Sequence, residues 1–174
     1  MTLNEINATI RNIIRTEMGM PEHQVMPANT NQPTGNLPFA TVLVDKISGN
    51  GWDDSKWQDT LPLNVTQTAQ GERKASVSIQ FFRDGAVTFA ERLRARIQLQ
   101  SAADKFALNG IGLISVGDAR NISMVINTFW EERAQIPMII SIIAKETSVI
   151  GTYGTFPISI STESETMVKT ILEP

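Results

Sequence analysis

The chain has 174 residues, 41% hydrophobic and 19% charged, which supplies the core of one domain and is too apolar for a disordered segment. Its 15 Lys and Arg against 18 Asp and Glu give a formal net charge of -3, disfavouring a surface built to wrap a polyanion, and the lack of Cys removes disulfides, thiolate chemistry and iron–sulfur clusters. The amino terminus has no basic start, apolar centre or small-residue cleavage site, and no apolar run nears the roughly 20 residues of a membrane span, so synthesis in the cytosol and no membrane segment are expected.

Leu3, Ile6, Ile10, Ile13 and Ile14 recur every three or four residues and predict an amphipathic helix, opened by the capping-box pair Thr2 and Glu5 and ended by Gly19 and Pro21. From Pro21 to Pro38 the chain carries Pro27, Pro33 and several Asn and Gln. Prolines lack the amide that a sheet interior needs, so this connector is expected to be an extended arm. Phe39 to Ile47 is apolar on both faces in its first half, as a covered strand would be. Ser48 to Trp57 mixes turn formers with Trp52 and Trp57 and suggests an insertion. Strand patterning resumes over Asp59 to Ala69, Gln70-Gly71 suggests a turn, and Glu72 to Arg83 alternates with Ala75, Val77, Ile79 and Phe81 on one face.

Asp84 stands where a cap would open a second helix, with Ala86, Phe89, Ala90, Leu93 and Ile97 on its apolar face. Ser101 to Asp104 suggests a new cap and a short helix ending near Gly110, followed by a buried strand over Gly112 to Val116. Asn127 to Ala134 and Ile136 to Lys145 form two further predicted strands, with a bend or an edge at Pro137 and with Ile136, Met138, Ile140 and Ile142 on one face. Short extended pieces over Pro157 to Thr162 and Met167 to Leu172 flank the acidic link Glu163 to Glu165. The expected fold is α+β: a single, mostly antiparallel sheet of about six strands packed by two main helices, with extended arms. Residues 1–150 would form the domain and 151–174 an extended arm.

Chemistry is sparse. His23, the only histidine, lies in the proline connector, where nothing positions it as a general base, and no Ser occupies a G-x-S-x-G turn. Asp53-Asp54 and Glu131-Glu132 are paired acids, but neighbours on a strand point to opposite faces, which leaves a metal-dependent hydrolase using Asp53, Asp54 or Glu131 the weakest reading. Neither glycine-rich phosphate motif occurs, so no catalytic, cofactor or metal site is expected. Arg92, Arg94 and Arg96 match a solvated helix face, since Glu91 is adjacent and no aromatics interleave. Trp52 and Trp57 either fold back on the core or await a partner.

Asn31-Gln-Pro33 ahead of Phe39-Ala-Thr-Val42, Glu72-Arg to Phe82-Arg-Asp-Gly85 leading into the helix, and Asn121-Ile-Ser123 followed by Trp130-Glu-Glu-Arg-Ala134 together make residues 3 to 148 resemble the neck and tail terminator proteins of tailed bacteriophages. The resemblance implies an α+β virion protein, not an enzyme, that forms a hexameric ring at the top of the tail tube. It implies that the ring ends tube polymerisation and receives the head connector. The implied partners are further copies of itself, the tail tube protein, connector or neck proteins and a tail sheath. DNA would pass through the lumen without specific binding, and the protein, made in the bacterial cytoplasm, would reside in the virion neck. An alternative within the same virion is a tail tube or other tail structural subunit. A ring needs two different complementary faces on each subunit. Candidate interface residues are Asn31 and Gln32 in the connector, Trp52 and Trp57 in the insertion, Arg92 and Arg96 on the helix, and Glu163 and Glu165 in the acidic arm, which could meet the basic helix of the next subunit.

Overall fold

In a computed structural model describing residues 2–29, 38–60, 64–151, 157–162 and 165–170, the Thr2 amide donates to Glu5 Oε2 at 2.7 Å and the Glu5 amide donates to Thr2 Oγ1 at 3.3 Å. That reciprocal pair opens α1 (Leu3–Met18), and Gly19 closes it in the left-handed region at φ 66°. Ile6, Ile10, Ile13 and Ile14 are buried as the periodicity predicts, whereas Leu3 stays half exposed.

Beyond α1 the connector does pair. After one 3-10 turn at Glu22–Gln24, β1 (Val25–Pro27) runs parallel to β2 (Phe39–Gly49), with Val25 opposite Ala40. Pro27 is tolerated because it ends a short strand at the edge of the sheet. Residues 30–37, and with them Asn31 and Gln32, lie outside the described residues.

The predicted insertion is shorter than its composition suggests. Asp54 to Trp57 are already in β3 (Asp54–Thr60), which pairs with β4 (Asn64–Phe82). β4 continues straight through Gln70 and Gly71, correcting the predicted turn. Its partner is β3 up to Gln70 and β2 from Arg73 onward, so Gly71 marks an exchange of partners within one strand. Ala75, Val77, Ile79 and Phe81 are buried, as their alternation requires.

Neither predicted polar cap forms. The residue capping α2 (Ala86–Ile97) is Gly85, at φ 85°, and α3 (Gln100–Leu108) begins after Leu99 with no side-chain cap. β5 (Ile111–Val116) is an edge strand rather than a buried one: Ile111 is buried, but Ile114 is 46% exposed beside a bulge between Leu113 and Ser115. The segment predicted as a strand from Asn127 to Ala134 is instead the second half of a hairpin. After β6 (Arg120–Asn121), β7 (Met124–Ile126) turns through Asn127 and Thr128, both at positive φ, into β8 (Phe129–Glu131).

β9 (Arg133–Gly151) then crosses Pro137 without a break. The Gly117 amide donates to the Pro137 carbonyl at 2.8 Å, so the side of Pro137 that lacks an amide hydrogen faces the gap between β5 and β6. A missing donor costs little where the neighbouring strand is interrupted. The main sheet, among the described residues, has seven strands in the order β1-β2-β4-β9-β5, with β3 on β4 and β6 on β9. It is mostly antiparallel, as expected, with β1 its parallel member, and it has seven strands rather than about six because β1 and β6 join it while β7 and β8 pair separately.

Contacts divide the chain into two units, residues 1–52 with 71–144 and residues 53–70 with 145–174. The first holds all three helices described and the hydrophobic core, in which Phe81, Phe106, Leu93, Ile136, Met138 and Ile140 are fully buried. Within it, Lys105 Nζ of α3 meets the buried Glu17 carboxylate of α1 at 2.6 Å, and Arg96 of α2 donates to the Glu17 carbonyl. The second unit contains the β3 hairpin and the distal part of β9, together with β10 (Pro157–Thr162) paired antiparallel to β11 (Glu165–Thr170).

Candidate interaction surface

The hairpin of β7 and β8 projects four large apolar side chains into solvent: Met124, Val125, Phe129 and Trp130 are 47%, 61%, 77% and 68% exposed. Register pairs Val125 with Trp130 and Ile126 with Phe129, so these residues occupy both faces of the hairpin. A hairpin lying on its own sheet would alternate apolar and polar residues; a continuous apolar run is what cover on both faces requires.

The base of the hairpin is held by charge and stacking. Arg133 donates to Glu131 Oε2 through Nε at 2.9 Å and Nη2 at 2.6 Å, and Arg83 Nη1 lies 3.6 Å from Glu131 Oε1. The Arg133 guanidinium also sits 5.0 Å from the centre of the Phe82 ring, which stacks on Phe39 at 4.6 Å. Ser123 Oγ accepts from the Arg133 amide at 3.0 Å and donates to Asn121 Oδ1 at 2.6 Å. On the far side of the strand Glu132 binds the start of α2, accepting from the Gly85 and Val87 amides at 2.8 and 3.1 Å. These contacts anchor the base from which the exposed tip projects. Beside it, Pro38, Arg83, Asp84, Trp130, Glu131 and Glu132 line a shallow cleft of about 280 Å³.

Glu131 and Glu132 thus point in opposite directions and serve different partners. Arg83 holds φ 79°, and its Nε is buried with no hydrogen-bond partner. The segments Phe82 to Gly85, Asn121 to Ser123 and Trp130 to Ala134, far apart in the chain, meet at this one place.

The predicted interface residues are dispersed. Trp52 is fully exposed and Trp57 60% exposed, so neither folds back on the core, and they belong to different units. Arg92 is exposed and makes no ion pair among the described residues, but Arg94 is engaged with Asp118 at 2.9 Å and Arg96 with the Glu17 carbonyl. Arg92 is therefore the member of the basic trio with its charge uncommitted. Glu163 lies outside the described residues, and Glu165 begins β11. Met124, Val125 and Phe129 escaped the sequence reading. Their signal was the apolar run on either side of Asn127-Thr128, a turn pair that was not recognised as one. Among the described residues, no three His, Cys, Asp or Glu side chains gather into a metal-binding group, and no helix is long and apolar enough to cross a membrane.

Compared with known families, residues 4–165 match the family model described as phage neck terminator protein. No curated protein matches the chain.

Proposed function

The chain belongs to the phage neck terminator family, and from that premise we propose that it assembles as a ring, a hexamer in our reading, on the upper end of the tail tube. There it ends tube polymerisation and offers the surface on which the head connector docks. Its role is structural, in the virion neck, and its partners are other copies of itself, the tube protein and the connector or neck proteins, with a sheath as a further neighbour.

The observation that carries this reading is the family match over nearly the whole chain. The exposed β7–β8 hairpin, anchored at its base, supports it, because large aromatics left without cover are the residues that dominate protein interfaces. A net charge of -3 suits a lumen through which DNA passes without being gripped.

Deleting the gene in its phage and measuring tails and heads by electron microscopy tests the proposal. Separate heads beside overlong or unfinished tails are expected. Intact virions would refute it, and loss of all tails would show a tube subunit instead.

A further inference from the structure

Besides the hairpin, the first unit carries a second uncovered apolar surface, on the side of the sheet opposite the core. On β9 the inward residues Ile140 and Ile142 are buried, whereas Ile139 and Ile143 on either side of them are 39% and 58% exposed. Ser141 lies between these two on the same outer face and is paired with Gly112 of β5, where a Cβ would run into Ser141 Oγ. Ser115 lies opposite Ile139, and Ile114 is exposed at the adjoining bulge. Because Gly112, Ser141 and Ser115 are smaller than Ile114, Ile139 and Ile143 around them, side-chain size alone makes this outer face dip between the isoleucines. None of these six residues is charged, while Glu72 and Lys74 stand exposed on the outer face of β4, the strand on the other side of β9.

The two surfaces are complementary in kind. The hairpin is apolar on both faces, with Phe129 and Trp130 beside its turn; the depression has small residues between isoleucines, which leaves room for a large side chain. Phe129 and Trp130 alone present on the order of 300 Å², more than a third of the roughly 800 Å² that each side of a standard interface buries. One chain carrying both halves of a contact is the minimum requirement for head-to-tail, heterologous assembly, which closes into a ring when the rotation between copies permits. A contact using the same patch on both partners would need only one such surface.

We propose that the β7–β8 hairpin of one copy seats Phe129 and Trp130 in the Gly112–Ser141 depression of the next copy, and that this contact propagates the ring. The inference rests on the ring reading above and specifies which residues build it.

The test places the photocrosslinking residue p-benzoylphenylalanine at position 129 in the full chain, supplied in trans to the deletion phage. Assembled particles are irradiated and the crosslinked peptides mapped. Crosslinks to the β9 peptide spanning Ile139 to Ile143, or to β5, in a second copy are the expected result. Crosslinks from incorporated protein to a different virion protein, or to another surface of this chain, overturn the inference while leaving the neck role intact. If the wild-type chain is not incorporated at all and the deletion phage has intact virions, the neck role itself fails.

A second measurement uses Ser141→Trp, which fills the depression and leaves the hairpin unaltered. Its circular dichroism should match wild type, and its incorporation into particles should fall at least tenfold. Wild-type incorporation of the folded variant would overturn the proposal.

Discussion

The Glu132 carboxylate accepts a hydrogen bond from the Gly85 amide at 2.8 Å, although the two residues stand 47 positions apart. Its other oxygen accepts from Val87 at 3.1 Å, so one carboxylate from the residue joining β8 to β9 supplies the cap that α2 does not obtain from its own flank. Negative charge also complements the positive end of the helix. Glu132→Ala is expected to lose about 1–2 kcal/mol, and Asp84→Ala to stay within about 0.5 kcal/mol of wild type. Urea denaturation of the two variants checks this, and the assignment fails if their order is reversed.

Gly117 has the Pro137 ring against its backbone: a Cβ there would stand 2.7 Å from Pro137 Cγ. Gly117→Ala should therefore cost about 1–3 kcal/mol through overpacking. Gly112→Ala meets a serine hydroxyl that can rotate away, so its loss should be smaller. Thermal melts that place Gly112→Ala below Gly117→Ala would contradict this.

Lys105 gives the buried Glu17 carboxylate its ammonium partner at 2.6 Å. Lys105→Met leaves that charge uncompensated, with an expected cost of about 2 kcal/mol, held below the fully buried case because the Lys105 side chain is 37% exposed. Adding Glu17→Gln should recover part of the loss, since a neutral amide needs no counter-charge. Equal stabilities for the single and double variants would show that the uncompensated Glu17 charge is not the source of the loss.

Trp52, Trp57 and Trp130, the only tryptophans, are all largely exposed. The unassembled chain should therefore fluoresce at the long-wavelength end typical of indoles in water. Assembly should shift the emission to shorter wavelength, and Trp130→Phe should remove most of that shift. An unchanged spectrum on assembly would place all three indoles outside the interfaces.

Periodicity made α1, α2 and the buried faces of β4 and β9 legible, because burial of one face leaves a repeat in the chain itself. Thr2 and Glu5 were legible for the same reason of locality, being three residues apart on one helical turn. The parallel pairing of Val25 with Ala40, the partner exchange at Gly71 and the exposure of Ile114 were not. Each depends on which strand lies alongside, and local composition does not record that. Pro137 predicted a bend or an edge, and β9 passes through it where the facing strand is interrupted, so the proline stands at a local edge.

The sequence by itself determined the class of the protein: an α+β chain without cysteine or a catalytic signature, resembling phage terminators through motifs at Phe82 to Gly85 and Trp130 to Ala134. Only the tertiary structure decided what those motifs do. Glu131 anchors the base of a hairpin, Glu132 caps a distant helix, and Trp130 is left in solvent beside them. Hydrogen bonds within a turn are encoded over three or four residues, whereas caps, stacks and uncovered faces arise from elements far apart in the chain that packing brings together.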